Sequence, residues 1–215
     1  MKINFLGDSI TEGACASEND KRYTTLVCKM LGAQENNYGI GGTRIAKQQY
    51  PKADAWEDDK DFLTRMQTID TSADFTFVFG GTNDYGHGDV PLGSMEDDTD
   101  YTFYGALGRL VRYMLGVFGK EKVCFILPLH RYNEDNPYGE GRKQVKGEPL
   151  SAYVAAEIAV FEHYGVEYLD FSDIFPIPKT NTGDELTWDG LHPNDRGHAL
   201  LADKLVEYLR EKGKV

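Results

Sequence analysis

A chain of 215 residues with 40% hydrophobic and 27% charged residues has the size and composition of one ordinary α/β domain spanning 1–215, and it is neither disordered nor fibrous. Its 23 Lys and Arg against 35 Asp and Glu give a formal charge of −12, which repels phosphate backbones and anionic headgroups, so no nucleic-acid partner is expected. The acidic runs "WEDDKD" and "MEDDTD" lack the spacing of a calcium-binding loop and read as loop charge, with no metal inferred.

In chain order, Ile3, Phe5 and Leu6 predict a buried strand that breaks at Gly7. Ser9 then stands at a strand's carboxyl end, where it could cradle a phosphate, cap a helix or act as a nucleophile. Tyr23, Leu26, Val27, Met30 and Leu31 follow helical spacing up to Gly32. A second strand is expected near "NNYGI", before Gly41 and Gly42, and "DFTFVFGG" and "KVCFILPL" predict two further buried strands. Between those two, Phe103, Tyr104, Leu107, Leu110, Val111, Met114, Leu115 and Phe118 form the apolar face of a helix closed by Gly119. Arg109 and Arg112 in this most apolar helix argue against a membrane span. A helix around "LSAYVAAEIAVFEHYG", the strand "VEYLDF" and a last amphipathic helix through Leu200, Leu201, Leu205, Tyr208 and Leu209 complete the alternation. Strands alternating with helices call for a parallel sheet covered on both faces, with every post-strand loop at one edge. Those loops contain Ser9, Gly42, Asn83 and His130.

The N-terminus begins directly with a strand and shows no export signal, and Cys15, Cys28 and Cys124 are an odd, scattered set suited to reduced thiols. Both features predict a cytoplasmic protein.

Near the C-terminus, "TWDGLHPNDRGH" places Asp189 three residues before His192. A carboxylate so near an imidazole can fix its tautomer and leave the other nitrogen as a base, although the same residues also suit a simple turn before a helix. Asn83 in "GGTND" could reach a tetrahedral oxygen with its amide, and Gly42 could approach one with its N–H; each could also be only a turn residue. Cys15 has no identified base partner, which makes a thiol mechanism the weaker reading.

Taken together, "GDSI", "NYGIGG", "GGTND" and "DGLH", in this order over nearly the whole chain, resemble the motif blocks of the SGNH hydrolases, also called GDSL esterases and lipases. The resemblance implies a three-layer α/β/α fold around a flavodoxin-like parallel sheet of five strands. It also implies Ser9 as nucleophile, His192 as general base and then acid, Asp189 as the residue that orients His192, and an oxyanion hole made by Ser9 N–H, Gly42 N–H and the Asn83 amide. No metal or cofactor is required by that chemistry. The competing class, a flavodoxin-like module binding a nucleotide or flavin, lacks a glycine-rich phosphate fingerprint and leaves the Asp–His pair unexplained.

Arg44, Asp84, His87, His130 and Arg131 follow the same strand ends and are candidates to line the substrate. His163 and His198, on helices, receive no role. The loops "YGHGDVPLGSMEDDTD" and "HRYNEDNPYGEGRKQVKGE" are polar and acidic, with isolated Tyr85, Tyr132 and Tyr138, and the second reads as a lid or site wall. Without an apolar run for an interface, they favour a short, acetyl-like ester of a polar alcohol such as a carbohydrate over a membrane lipid. Lysophospholipase and thioesterase activities belong to the same family and remain alternatives.

Overall fold

The structure, a computed structural model, describes residues 1–52, 57 and 60–215. Of the run "WEDDKD", residues 56, 58 and 59 lie outside the described residues.

Five parallel strands form one sheet in the order β2-β1-β3-β4-β5, from β1 (Lys2–Gly7), β2 (Gln34–Gly39), β3 (Phe75–Phe79), β4 (Val123–Ile126) and β5 (Glu167–Leu169). Central β3 and β4 are buried throughout and β1 is buried beyond Lys2, which is why they read as apolar runs. The edges are polar in β2 and three residues long in β5, which limits edge-to-edge pairing.

Side chains alternate across the sheet. Ile3, Phe5, Phe75, Phe77 and Phe79 join a core with α2 (Tyr23–Leu31) and α7 (Asp195–Glu211). Leu6, Val78 and Phe125 join another with α5 (Phe103–Phe118) and α6 (Leu150–Tyr164). Helices therefore cover both faces, as the alternation of elements required. Three helices of only four to six residues have too little length for periodicity to reveal: α1 (Ser9–Glu12), α3 (Phe62–Arg65) and α4 (Thr82–His87). Among the described residues no helix is long and apolar enough to cross a membrane.

The acidic run after α4 is tied into ion pairs, with Asp98 on Arg109 and Arg112 and Asp100 on Lys47 and Arg109.

Register aligns the carboxyl ends: Gly7 of β1 faces Gly39 of β2 and Phe79 of β3. At this edge the backbones of β2 and α1 nearly touch, since a Cβ on Gly39 would lie 2.1 Å from Glu12 N and 2.5 Å from Thr11 C. Gly32, by contrast, has φ +61 and open space around it, so a Cβ there would meet nothing within 4 Å. Gly32→Ala should therefore cost about 1 kcal/mol, the left-handed penalty alone, whereas Gly39→Ala collides with backbone that has no rotamer to turn away and should cost about 3 kcal/mol. Urea unfolding of the two variants checks this; equal midpoints would contradict the close approach of β2 and α1.

Candidate active site

The nucleophile candidate is displayed by a turn with little freedom. A Cβ on Gly7 would lie 2.0 Å from Thr11 Oγ1, so only glycine fits where β1 ends. Asp8 caps α1 by accepting the Ile10 N–H at 3.0 Å, and Ser9 is the first helical residue, so its own N–H has no intrahelical acceptor. The helix stops after one turn at Gly13, φ +100. Asp8 is almost fully buried, and this desolvation raises its pKa to about 6 against the lowering effects of the Ile10 N–H and of the charges of His192, Arg65 and Arg131.

The loop before α7 brings the other two residues. Asp189 Oδ1 accepts the N–H groups of Leu191 at 3.0 Å and His192 at 2.8 Å, folding "DGLH" back on itself. Gly190, φ +77, leaves no room for a side chain, whose Cβ would meet Thr180 O at 2.5 Å and Tyr132 Cβ at 2.8 Å. The Trp188 N–H donates to His192 O at 2.8 Å and the Asn194 side chain caps α7, so both ends of the loop are fixed. His192 Nδ1 then lies 2.7 Å from Asp189 Oδ2, and His192 Nε2 lies 2.9 Å from Ser9 Oγ. Partial burial alone would raise the Asp189 pKa; the bonds from the His192 ring and from the His192 and Leu191 N–H groups, with the His192 charge, outweigh it and hold the carboxyl at about 2. Asp189 is thus ionised and accepts the Nδ1 proton, which leaves the Nε2 lone pair toward Ser9.

Asn83, on α4, is buried and donates from Nδ2 to Thr43 O at 3.0 Å, which leaves its second amide hydrogen for another acceptor. Gly42, φ +76, lies on the loop after β2. This loop is pinned by Asp84, whose two oxygens accept from Ile45 and Ala46 N–H, each at 2.9 Å, and Glu12 holds the Gly41 N–H at 2.9 Å.

Comparison with known proteins gives the family. A sequence profile described as the GDSL-like lipase/acylhydrolase family matches residues 5–200. The chain belongs to that family. Its members are carboxylic ester hydrolases. A crystal structure of a Lactobacillus plantarum protein is similar at 31% identity and TM-score 0.79, covering 98% of this chain and 96% of that one. The lipase/acylhydrolase from Enterococcus faecalis is similar in fold at 22% identity and TM-score 0.66, with 99% and 96% covered. So is Est24, a carbohydrate acetylesterase from Sinorhizobium meliloti, at 17% identity and TM-score 0.66, with 98% of each chain covered. No curated protein matches the sequence.

Several lining candidates take other positions. Asp84 is buried with both oxygens on backbone amides, and its desolvation, opposed mainly by those bonds, raises its pKa to about 6; it builds the Gly42 loop and does not face substrate. Arg131 is likewise buried, donating to Thr82 O at 3.1 Å and to Glu140 Oε1 at 2.6 Å beneath the Tyr85 ring. Arg44 is buried with Nη1 2.7 Å from His87 Nδ1, and His87 Nε2 is 3.2 Å from Asn83 Oδ1, so both stand behind Asn83. His130 is part-exposed, paired with Glu134 at 2.9 Å, and lines a cavity of about 420 Å³ with Phe175, Ile177, Lys179 and Leu186. Tyr85, on α4, is buried and not exposed on the loop after β3, and its hydroxyl donates to Asn133 O at 2.8 Å, which anchors the long excursion. That excursion is a wall: Glu140 N–H bonds Gly86 O at 2.9 Å and Tyr132 N–H bonds Gly190 O at 2.7 Å.

Four further residues, none of them given a role by the sequence pattern, support or border the site. Arg65 is buried on α3, a helix too short to show a pattern. His198, stacked on Tyr23 at 6.1 Å, accepts the Tyr23 N–H and bonds Ala14 O, which steadies the loop after α1. Glu157 on α6 is fully buried, which raises its pKa well above the ordinary value. Trp188 is 68% exposed directly before Asp189, a signal present in "TWDGLH". The Cys15 Sγ, Asp189 and His192 ligand atoms lie within 4.8 Å of one another, the one such cluster among the described residues. Burial, then the charge of Asp189, raises the Cys15 pKa, so the thiol stays protonated beside a carboxylate already engaged by His192.

Asp189→Asn tests the tautomer. The amide Oδ1 can keep the two backbone bonds while its NH₂ group faces Nδ1, which moves the ring proton to Nε2 and removes the base. Turnover of p-nitrophenyl acetate should fall about 10⁴-fold at an unchanged unfolding midpoint. A loss of less than tenfold would show that Asp189 does not set the tautomer.

Proposed function

We propose that the protein hydrolyses esters through an acyl-enzyme on Ser9, and that its substrates are short-acyl, acetyl-like esters of polar alcohols, carbohydrates in particular. The hydrogen-bonded chain from Asp189 through His192 to Ser9 carries the first part. Ser9 Oγ attacks the ester carbonyl while Nε2 of His192 takes its proton, and the Asp189 carboxylate stabilises the imidazolium that forms. Negative charge on the tetrahedral oxygen falls to Ser9 N–H, Gly42 N–H and Asn83 Nδ2. The alcohol leaves with the Nε2 proton. Water activated by the neutral ring then releases the acid and Ser9. Nε2 takes the proton of the attacking water and passes it to Ser9 Oγ as the acyl–oxygen bond breaks.

The substrate class is supported by the surroundings of Cys15, which borders both the Asp–His pair and a cavity of about 490 Å³ lined by Ala16, Ser17, Trp188, Asn194, Asp195 and Arg196. The lining is mostly apolar, with one exposed indole, and its polar side chains are already paired, Ser17 Oγ on Asp195 at 2.7 Å and Arg196 on Glu185 at 2.6 Å, so what the cavity offers is an aromatic surface on which the apolar face of a sugar ring can stack. Exposed Tyr132 and Tyr138 on the wall add two more amphipathic rings. The fold likeness to Est24, a carbohydrate acetylesterase by its description, is consistent with this choice.

On purified protein, p-nitrophenyl esters of increasing acyl length and a panel of acetylated sugars should give the highest kcat/KM for acetyl and release acetate from at least one sugar. Ser9→Ala should abolish both, since loss of a triad member costs on the order of a millionfold. A higher kcat/KM for a twelve-carbon ester, or for a lysophospholipid or acyl thioester, would transfer the protein to another branch of family chemistry. Full turnover in Ser9→Ala would overturn the mechanism.

A further inference from the structure

The Asn83 side chain has two chemically opposite ends: Nδ2 donates hydrogen bonds and Oδ1 accepts them. Only the Nδ2 end can stabilise a tetrahedral oxyanion, whereas Oδ1 in the same place would repel it. Half a turn about the last side-chain bond exchanges the two. An oxyanion hole that depends on this amide therefore needs something to hold its orientation.

The surroundings distinguish the two ends. Thr43 O, 3.0 Å from Nδ2, can only accept. On the other side His87 Nε2 lies 3.2 Å from Oδ1, and Nε2 donates or accepts according to the tautomer. Arg44 removes that choice. Its Nη1 lies 2.7 Å from His87 Nδ1, and a guanidinium has no lone pair to offer, so Nδ1 must be the acceptor. In a neutral ring the proton is then on Nε2, where it can only be donated to Oδ1. Burial, and next the charge of Arg44, lower the His87 pKa to about 4, so the ring is neutral at physiological pH.

These contacts close a ring. Arg44 bonds His87, His87 bonds Asn83, Asn83 bonds Thr43 O, and Thr43 precedes Arg44 in the chain. Asn83 and His87 are four residues apart on α4 and so share a face, while Thr43 and Arg44 follow Gly42 on the loop after β2. The ring thus links the elements that carry two of the three oxyanion donors. Turning the amide over would set Oδ1 against Thr43 O and Nδ2 against the Nε2–H, an acceptor against an acceptor and a donor against a donor.

We infer that His87 is a positioning residue for ester hydrolysis: with its tautomer fixed by Arg44, it holds the Asn83 amide with Nδ2 toward the developing oxyanion. The inference rests on the proposed hydrolysis at Ser9. It assigns His87 no contact with substrate and no proton transfer.

The contrast between His87→Gln and His87→Glu separates this role from simple bracing of the loops. Both side chains have the same length and both can accept from Arg44, the Glu more strongly. Only Gln can also donate to Asn83 Oδ1; a carboxylate there attracts Nδ2 and turns the amide over. With p-nitrophenyl acetate, H87Q should retain turnover within about tenfold of wild type, whereas H87E should lose about a hundredfold in kcat at little changed KM, approaching the loss in Asn83→Ala. In an Asn83→Ala background, H87E should cost less than about threefold more, because the amide it acts on is gone. Circular dichroism and urea midpoints establish that each variant is folded. If H87E is not folded, His87→Leu, which neither donates nor accepts, takes its place, with a loss in kcat expected alone and none in the Asn83→Ala background. Equal kcat for H87Q and H87E, or a full H87E effect without Asn83, would overturn the inference while leaving hydrolysis at Ser9 intact. Wild-type hydrolysis that does not depend on Ser9 would remove both.

Discussion

A single buried guanidinium fastens the edge of the sheet on which the site is built. Arg65 donates to Gly7 O at 3.1 Å, to Thr43 Oγ1 at 2.8 Å, to Lys60 O at 2.7 Å and to Tyr38 O. It therefore ties the last residue of β1, the end of β2 and the loop carrying Gly42 to one rigid planar fork, whose geometry a lysine cannot reproduce. Burial lowers its pKa to about 10 against the charges of Asp8, Asp61 and Glu12, so it remains a cation at neutral pH. Gly7 O also accepts the Ile40 N–H at 3.1 Å, so Arg65 supplies the second bond to a carbonyl that the chain after β2 already meets. The buried Asp8 carboxyl, which caps the helix of Ser9, is close enough for its charge to favour the Arg65 cation.

The interior beneath the site is more polar than the apolar strands suggest. Asp8, Asp84 and Glu157 are buried together with Arg44, Arg65 and Arg131, and desolvation raises the pKa of each of these three carboxyls. Such groups stabilise a fold less than apolar residues of equal volume, but each bond they make has one permitted geometry. Here the geometry is that of loops: Asp84 fixes the backbone at Ile45 and Ala46, and Arg131 fixes the wall over Tyr85. Gly81 precedes α4 with φ +99, a conformation that favours glycine, and a Cβ there would come within 2.0 Å of Glu157 Oε1, so a larger residue would have to displace the buried acid's side chain as well.

Sequence patterns carried the frame and the reacting groups, and failed where tertiary contacts decide a residue's role. Phe103 to Phe118 and the last helix show sixteen or seventeen residues of 3.6 periodicity, and their faces are those the pattern named. The β2 strand begins at Gln34, earlier and more polar than its apolar tail implied, because an edge strand needs only one covered side. Ser9, Asp189 and His192, which the structure brings into one hydrogen-bonded chain, were legible because "GDSI" and "DGLH" are two of four motif blocks in family order; of the three only Ser9 directly follows a strand. Asp84, Arg131 and Tyr85 looked like surface groups because composition cannot distinguish a loop that faces water from one folded onto a helix. Arg65 gave no signal, since a cation on a four-residue helix resembles a solvated one until the carbonyls around it are known.

Under the proposed acyl-enzyme mechanism the two halves of the site have different requirements, and their exposure differs in the same sense. Asp189 and His192 have side chains 40% and 20% exposed, on a loop that borders the cavity beside Cys15 and Trp188. Both the leaving alcohol and the incoming water must pass over Nε2, so this half has to stay open. The oxyanion half has the opposite requirement, because donors that reorient during reaction lose the advantage of being set beforehand. Asn83 is accordingly buried and carried on α4, a helix held from one side by Arg131 and Glu140 and from the other by the loop of Gly42. Strong electrostatic stabilisation needs low polarity and fixed dipoles, proton transfer to solvent species needs access, and a sheet edge with one loop fastened inward and another left toward water supplies both.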